Sequence, residues 1–529
     1  MRKLDAIFRY LRHWRHTERA FSTIVYHRNS LPAFTTSHTA VQQYRYKSHD
    51  SAQPSQNLQD MYKFLQSLYS TQKHGVLSIE SGCRQFCQTY RHMEESEKLA
   101  LLCHISENYG VNQELIVDIV KNFLESKERG EAVILRIEER MRGALSAKYQ
   151  VLFSDIGRIE GGVKFLVDMR ADIMHLLSST KDIDRAHLLD LQHALKDILS
   201  LWFTVGFLNL ERITWQSSCE MLQKISEYEA VHPVRHWQDL KRRVGPYRRC
   251  FVFTHSSMPH EPIVVLHCAL TSEISSSIHS IIGNRGYSTS SLEQEKVEEG
   301  PEDPNKINTA MFYSVSNTQK GLQGVDLGNY LIKKVAGELQ HEWPQMTQFS
   351  SISPIPGFRD WLNREINAAC REDTQDDLQP RETDKGSHSS QLLTETDIEC
   401  LCNSINTDKS FASALQIFKE HVMQHTWVNK EDTVTAMKAP LMRLCARYLY
   451  LEKRRGYALN SVANFHLQNG AVLWRLNWMA DTTLRGLTNS CGLMVNYRYY
   501  LEDTVGNSQQ YIEHKVINTS DHIRQLCET

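Results

Sequence analysis

Between Pro54 and Pro233 the chain carries no proline, and its apolar residues return at helical intervals. Leu188, Leu191, Leu195 and Ile198 fall at i, i+3, i+7 and i+10 behind the capping candidates Asp182 and Asp184, which predicts an amphipathic helix. Ile116, Val120, Phe123 and Leu124 repeat the pattern after Gly110, a candidate C-cap for the helix before it. Residues from about 57 to 203 therefore read as a bundle of helices, a structural and oligomerising region in which no side-chain constellation points to chemistry.

After Pro233 the period changes. CFVFTH (250–255) and IVVLHCAL (263–270) are short β-rich runs joined by the turn-forming SSMPHEP. MFYSVS (311–316) and VLWRLNW (472–478) are further strand candidates, with helical patterns at NYLIKKVAGELQ (329–340) and PLMRLCARYLYLEK (440–453). Two polar segments, 283–305 and 371–390, lack apolar spacing and read as surface insertions. The expected fold class is α+β: an N-terminal all-α bundle over 51–203, then a mixed α/β domain over 204–529.

Composition narrows the class. A chain of 529 residues exceeds what one hydrophobic core supports, so more than one domain is expected. The net charge of -2 provides no basic surplus for nucleic acid, and no apolar run reaches membrane-spanning length. Twelve cysteines occur without a CxxC pair or a secretory signal, which fits a reducing interior. The first fifty residues differ from the rest: up to His49, nine Lys or Arg face only Asp5 and Glu18, among aromatic and hydroxyl residues. Residues 1–50 thus read as a mitochondrial transit peptide and leader.

Candidate chemistry gathers after the strand MFYSVS. The run Gln319-Lys320-Gly321-Leu322-Gln323-Gly324-Val325-Asp326-Leu327-Gly328-Asn329 leads into a helix. Glycines let backbone amides approach an anion, and the helix N-terminus adds a positive dipole end. No Gly-Lys-Ser/Thr closes it and no GxGxxG is present, so neither a Walker loop nor a dinucleotide fold is indicated. The loop resembles the coenzyme A pyrophosphate loop of GNAT acetyltransferases, Gln/Arg-x-x-Gly-x-Gly/Ala. Gln323 and Gly328 match its ends, and Asp326 replaces its middle glycine. Elsewhere, Lys241, Arg242, Arg243, Arg248 and Arg249 form a basic cluster, either a solvated face or a contact for phosphates. Arg454 and Arg455 carry the same two readings. His421 and His425 stand four apart, but HEXXH is absent and no metal site is expected. There is no Gly-x-Ser-x-Gly elbow.

Four further strings are more specific: SPIPGF (353–358), NFHLQNGAVLW (464–474), HPVRHWQDLKRRVGPYRRC (232–250) and CGLMVNYRYYLED (491–503). Together they closely resemble the malonyl-CoA decarboxylase family over about 204–515, with a similar helical layout upstream. The resemblance implies an oligomerising helical domain, a GNAT-like catalytic domain, a homo-oligomer (a tetramer in the family) and no metal or organic cofactor beyond the coenzyme A of the substrate. It places the catalytic serine at Ser353 and the catalytic histidine at His466. The substrate loop falls on Gln323, Gly324, Val325, Asp326, Leu327, Gly328 and Asn329, with Asp326 where the family usually has Glu, and a pocket tyrosine falls on Tyr499. The peroxisomal C-terminus of some members is missing, since the chain ends Leu526-Cys527-Glu528-Thr529. The mitochondrial matrix is the expected location, with a cytosolic pool left open.

Such a reaction turns malonyl-CoA into acetyl-CoA and CO2 through a thioester enolate. The site must hold a carboxylate in a poorly solvated pocket, stabilise the thioester oxygen and protonate the α-carbon. A histidine of near-neutral pKa suits the protonation, and a serine hydroxyl or backbone amide suits the oxygen. The alternatives are a coenzyme A-dependent acyltransferase, which needs an acceptor base, or an inert coenzyme A-binding scaffold, for which Ser353 and His466 would lie apart.

Overall fold

A computed structural model describes residues 55–69, 76–126, 130–179, 182–283, 301–325, 327, 331–375 and 392–528. The leader, residues 1–50, lies outside them, as do 284–300 and 376–390 within the two polar insertions. The described ends of both insertions join the fold: Glu302 pairs with buried Arg249, and residues 371–375 continue a helix.

Among the described residues eight helices come first: α1 Gln56–Leu68, α2 Val76–Arg91, α3 Glu95–Tyr109, α4 Gln113–Glu125, α5 Glu131–Ala144, α6 Tyr149–Arg158, α7 Gly162–Ser179 and α8 Asp182–Trp202. The predicted stripe on α8 is buried: Leu188, Leu191 and Leu195 have no exposed surface and pack on Phe153, Phe165 and Leu166. Each such side chain contributes roughly 1.5–3 kcal/mol relative to exposure. On α4 the same pattern leads elsewhere. Ile119 is buried against the α5 partner, whereas Val120 and Leu124 are 37% and 57% exposed. Gly110 does end α3, but in an extended conformation (φ -72°, ψ -161°) rather than the left-handed one.

The second region is a mixed sheet. Its strands are β1 Leu208–Ile213, β2 Arg248–His255, β3 Val264–Thr271, β4 Thr309–Asn317, β5 Gln348–Ser351, β6 Ser353–Pro354, β9 Val472–Asn477 and β10 Met494–Tyr499; β7 Lys453–Arg454 and β8 Tyr457–Ala458 make a separate hairpin. The helices are α9 Cys219–Tyr228, α10 Trp237–Arg243, α11 His279–Ile282, α12 Leu331–Glu342, α13 Phe358–Gln375, α14 Glu395–Ser404, α15 Phe411–Met423, α16 Glu431–Tyr450, α17 Ser461–Gln468, α18 Leu484–Ser490, α19 Thr504–His514 and α20 Asp521–Glu528. α16 starts nine residues before the predicted pattern and runs through Pro440.

Strands β1 to β4 are antiparallel neighbours, and β4 then pairs in parallel with β5 through the α12 crossover. β5 and β6 both line the same edge of β10, Phe349 opposite Tyr499 and Ser353 opposite Val495, with β9 on β10's other edge. Alternation along the strands gives two faces. The front face carries Phe251, Leu266, Phe312, Val495, Tyr497 and Tyr499 into the main core with α12, α13 and α16. Val163 and Val167 of α7 and Leu199 and Phe203 of α8 join that core, so the helical region packs directly on the sheet. The back face carries Cys250, Val252 and Val265 against α9 and α10, and Met311, Tyr313, Ile352 and Met494 beside them.

Candidate active site

Ser353 and Ser351 sit two residues apart on adjoining strands and so share the front face, where Ser353 Oγ donates to Ser351 Oγ at 2.8 Å. Ser351 Oγ also accepts the amide of Tyr497 at 3.3 Å. Facing them is α17, capped by Asn460, whose Oδ1 accepts from Ala463 N and whose Nδ2 donates to Pro356 O at 2.8 Å. The helix that carries His466 is thereby tied to the Pro-Ile-Pro segment that follows Ser353. At the other end of α17, Gly470 (φ +79°) lies so close to Thr504 that a Cβ would stand 2.0 Å from its carbonyl oxygen. Only glycine meets both demands there.

The result is a buried chain of three groups. Ser353 Oγ lies 2.9 Å from His466 Nε2, and His466 Nδ1 lies 2.6 Å from the Tyr499 hydroxyl. The imidazole stacks on Tyr497 with centroids 4.4 Å apart and planes 17° from parallel. Ser353, His466 and Tyr499 are 5%, 4% and 2% exposed. Burial pushes the imidazole down to about 3, with no carboxylate among the described residues offsetting the loss of water. The histidine is therefore neutral at working pH, where the sequence pointed to a group titrating near neutrality. Burial also raises the Tyr499 hydroxyl far above its usual range, so it stays protonated.

The glycine loop lies on the same face of the sheet, braced by the helical region. Arg170 of α7, 1% exposed, donates to the carbonyl of Gly321 and, at 3.0 Å, to that of Gln323. Gly321 sits so close to α7 that a Cβ would stand 1.7 Å from Val167 O. Gln323 and Gly324 (φ +73°) are exposed, and Val325 and Leu327 are buried in the main core. Asp326, Gly328 and Asn329 lie outside the described residues. Ser353, His466 and Tyr499 are thus brought into contact; the loop shares their face of the sheet without a hydrogen bond to them among the described residues.

Other candidates resolve differently. Arg243 is buried against Asp239, Arg248 donates to Tyr247 O and Ile281 O, and Arg249 is bound by Glu302 and Glu342. Three of the five residues of the basic cluster are therefore internal scaffolding. α15 ends at Met423, so His421 and His425 do not share a helix; His425 Nε2 instead meets Thr488 Oγ1 at 3.2 Å. Among the described residues no group of three potential ligands could hold a metal ion, and no helix is long and apolar enough to cross a membrane. Ser351 and Tyr497, which the sequence reading omitted, stand at i-2 from Ser353 and Tyr499, a period that marks them as face-sharing once the strands are known. Arg170 left no such signal.

Comparison with known proteins agrees over most of the chain. Residues 206–529 match a family model described as the malonyl-CoA decarboxylase C-terminal domain, and residues 109–203 match one for its N-terminal domain. Mitochondrial malonyl-CoA decarboxylase of Mus musculus is 47% identical over 461 residues, 87% of this chain and 87% of its own; that of Anser anser anser is 46% identical over 458 residues, 86% and 85%. The crystal structure of malonyl-CoA decarboxylase from Rhodopseudomonas palustris superposes with a TM-score of 0.71 at 29% identity, covering 88% of this chain and 99% of that one. The Agrobacterium vitis structure gives 0.69 at 25%, covering 89% and 100%.

Proposed function

The chain belongs to the malonyl-CoA decarboxylase family, and from that premise we propose how its buried serine–histidine pair converts malonyl-CoA to acetyl-CoA and CO2. The observation that carries this reading is the 2.9 Å approach of Ser353 Oγ to His466 Nε2, with Tyr499 behind the ring. Such contact is what the inert-scaffold alternative lacks, and the family match leaves the acyltransferase alternative without support.

Among the described residues His466 Nδ1 is the acceptor within reach of the Tyr499 hydroxyl. Tyr499 therefore donates to Nδ1, the ring proton sits on Nε2, and Nε2–H points at Ser353. The malonyl carboxylate enters a site with little water, and its C–C bond electrons flow into the thioester, leaving CO2 and an enolate. The hydroxyl of Ser353 and the Nε2–H of His466 stabilise the enolate oxygen. Neutral imidazole is acid enough for the last step, because the enolate carbon is far more basic than the ring it deprotonates; neutral histidine electrophiles serve enolisation elsewhere. The Nε2 proton moves to the α-carbon, and the ring regains one from solvent, so each turnover consumes one proton. The thioester accepts the electron pair, so this course runs without a metal or organic cofactor. The Gln323–Asn329 loop holds the substrate outside the pair, and Asp326 organises it.

Residues 1–50 direct the chain to the mitochondrial matrix, in keeping with the mitochondrial relatives, and the helical region assembles a homo-oligomer, a tetramer by family pattern. Fractionation of cells decides whether a cytosolic pool exists. The central test supplies the purified chain with malonyl-CoA alone and follows acetyl-CoA. Ser353→Ala and His466→Ala are each expected to lose on the order of 10²-fold or more in kcat. Undiminished turnover in either variant removes that residue from the mechanism.

A further inference from the structure

A large cleft lies on the other side of the sheet from the serine–histidine pair. It measures about 1600 Å³, and its floor includes Pro354 and Met494, whose side chains point to the back face because Ser353 and Val495 point to the front. Seven Arg or Lys line it; Arg242 and Arg243 are paired with Asp239, Arg249 with Glu302 and Glu342, and Arg212 with Glu342, so the charge it offers a ligand comes from Lys241 and Arg485. The carboxylates that line it are engaged already: Asp239 by Arg243, Glu302 by Arg249, and Asp481 by the amide and hydroxyl of Thr483. Lys241 and Arg485 line it and stand exposed, Arg485 also donating to Val231 O at 2.9 Å. Deeper in, His232 is 9% exposed, and its Nε2 has no hydrogen-bond partner. An orphaned donor or acceptor at that depth costs stability unless a ligand completes it. At the mouth, Trp215 is 41% exposed and meets Trp237, 56% exposed, edge to face at 5.8 Å.

We propose that this cleft is a second ligand site, separate from the substrate site, for a nucleoside diphosphate or triphosphate. The exposed Lys241 and Arg485 supply the phosphate contacts, and the exposed Trp215 ring supplies a stacking surface for a flat base. Inorganic phosphate would use only the first of these, and a nucleoside only the second, so neither alone fills the cleft. A ligand here touches the segment that carries Ser353 from behind, which gives a route by which nucleotide levels set the rate of decarboxylation. The proposal rests on the front-face assignment of the active site.

The test titrates ADP calorimetrically into the full chain with acetyl-CoA saturating, so that the substrate site is filled. Adenosine and inorganic phosphate serve as partial probes. ADP is expected to bind, at least tenfold tighter than either partial probe. Lys241→Ala and Arg485→Ala should each weaken it about tenfold, and Trp215→Ala should remove the preference over phosphate. The KM for malonyl-CoA without ADP should stay within twofold of wild type in all three. Absence of ADP binding overturns the proposal, as does ADP binding indifferent to the three substitutions. Loss of ADP binding when acetyl-CoA is present, or a parallel rise in KM, overturns it too, by making the cleft part of the substrate site. Malonyl-CoA turnover is measured in the same samples, so failure of the decarboxylase reading is seen independently.

Discussion

A neutral His466 makes a quantitative claim about pH. Moving the imidazole from 6.5 to about 3 corresponds to about 5 kcal/mol in favour of the uncharged ring, and its cause is burial. The perturbation is a change of pH from 8 to 5.5 on the free enzyme, which kcat/KM reports. A histidine of ordinary pKa would be about 90% protonated at pH 5.5, and a mechanism that needs the neutral ring would lose roughly tenfold. With a pKa of about 3, only about 0.3% is protonated there, and His466 removes nothing measurable from the rate. The expectation is therefore a kcat/KM without an acid limb near 6.5, measured by acetyl-CoA release at limiting malonyl-CoA. In parallel, the ring NMR signals of His466, assigned by their loss in His466→Ala, should not shift between pH 8 and 5.5. Signals moving with a midpoint near 6.5, matched by a limb of kcat/KM at the same pH, would refute both the neutral-acid assignment and the burial argument.

Two further outcomes follow from the same contacts. Arg170→Met removes charged donors from the carbonyls of Gly321 and Gln323, each worth about 1.5–3 kcal/mol, and should raise KM for malonyl-CoA about tenfold or more while kcat stays within about threefold. Arg170→Lys should recover part of the loss, and steady-state kinetics on the two variants check it. Acid stability gives a second outcome. His232 and His267 are held down to about 4 and His466 to about 3, chiefly by burial, so the unfolded chain binds protons that the folded chain refuses. Stability is then highest above pH 6.5 and falls as pH drops from 6.5 toward about 4, by up to about 4 kcal/mol per pH unit if all three act together. Urea midpoints at pH 7 and pH 5 measure this, and equal midpoints would contradict it.

The sequence by itself determined more of the site than of the fold around it. Helical and strand periods are local properties, so α8, β2, β3, β4 and β9 were legible from residue spacing, although the sheet already begins with β1 at Leu208, ahead of the change of period read at Pro233. Strands β1, β5, β6 and β10 were not called from the pattern: β5 and β6 are short, β10 is buried on both faces, and β1 is largely exposed with no clean alternation. Ser353, His466 and Tyr499 were named from motif strings, which identify residues without saying how they meet.

Tertiary structure decided the rest. Only the pairing of β5 and β6 with β10, and the docking of α17 across them, puts residues 113 and 33 positions from His466 on its two ring nitrogens. Burial, which no local string records, turned a histidine expected to titrate near neutrality into a neutral one. Long-range packing also consumed Arg243, Arg248 and Arg249 internally and brought Arg170 to the substrate loop across about 150 residues of chain. The physical reason is common to all of these. A side chain's type and spacing fix what it can do, while its dielectric surroundings and partners, which come from distant parts of the chain, fix what it does.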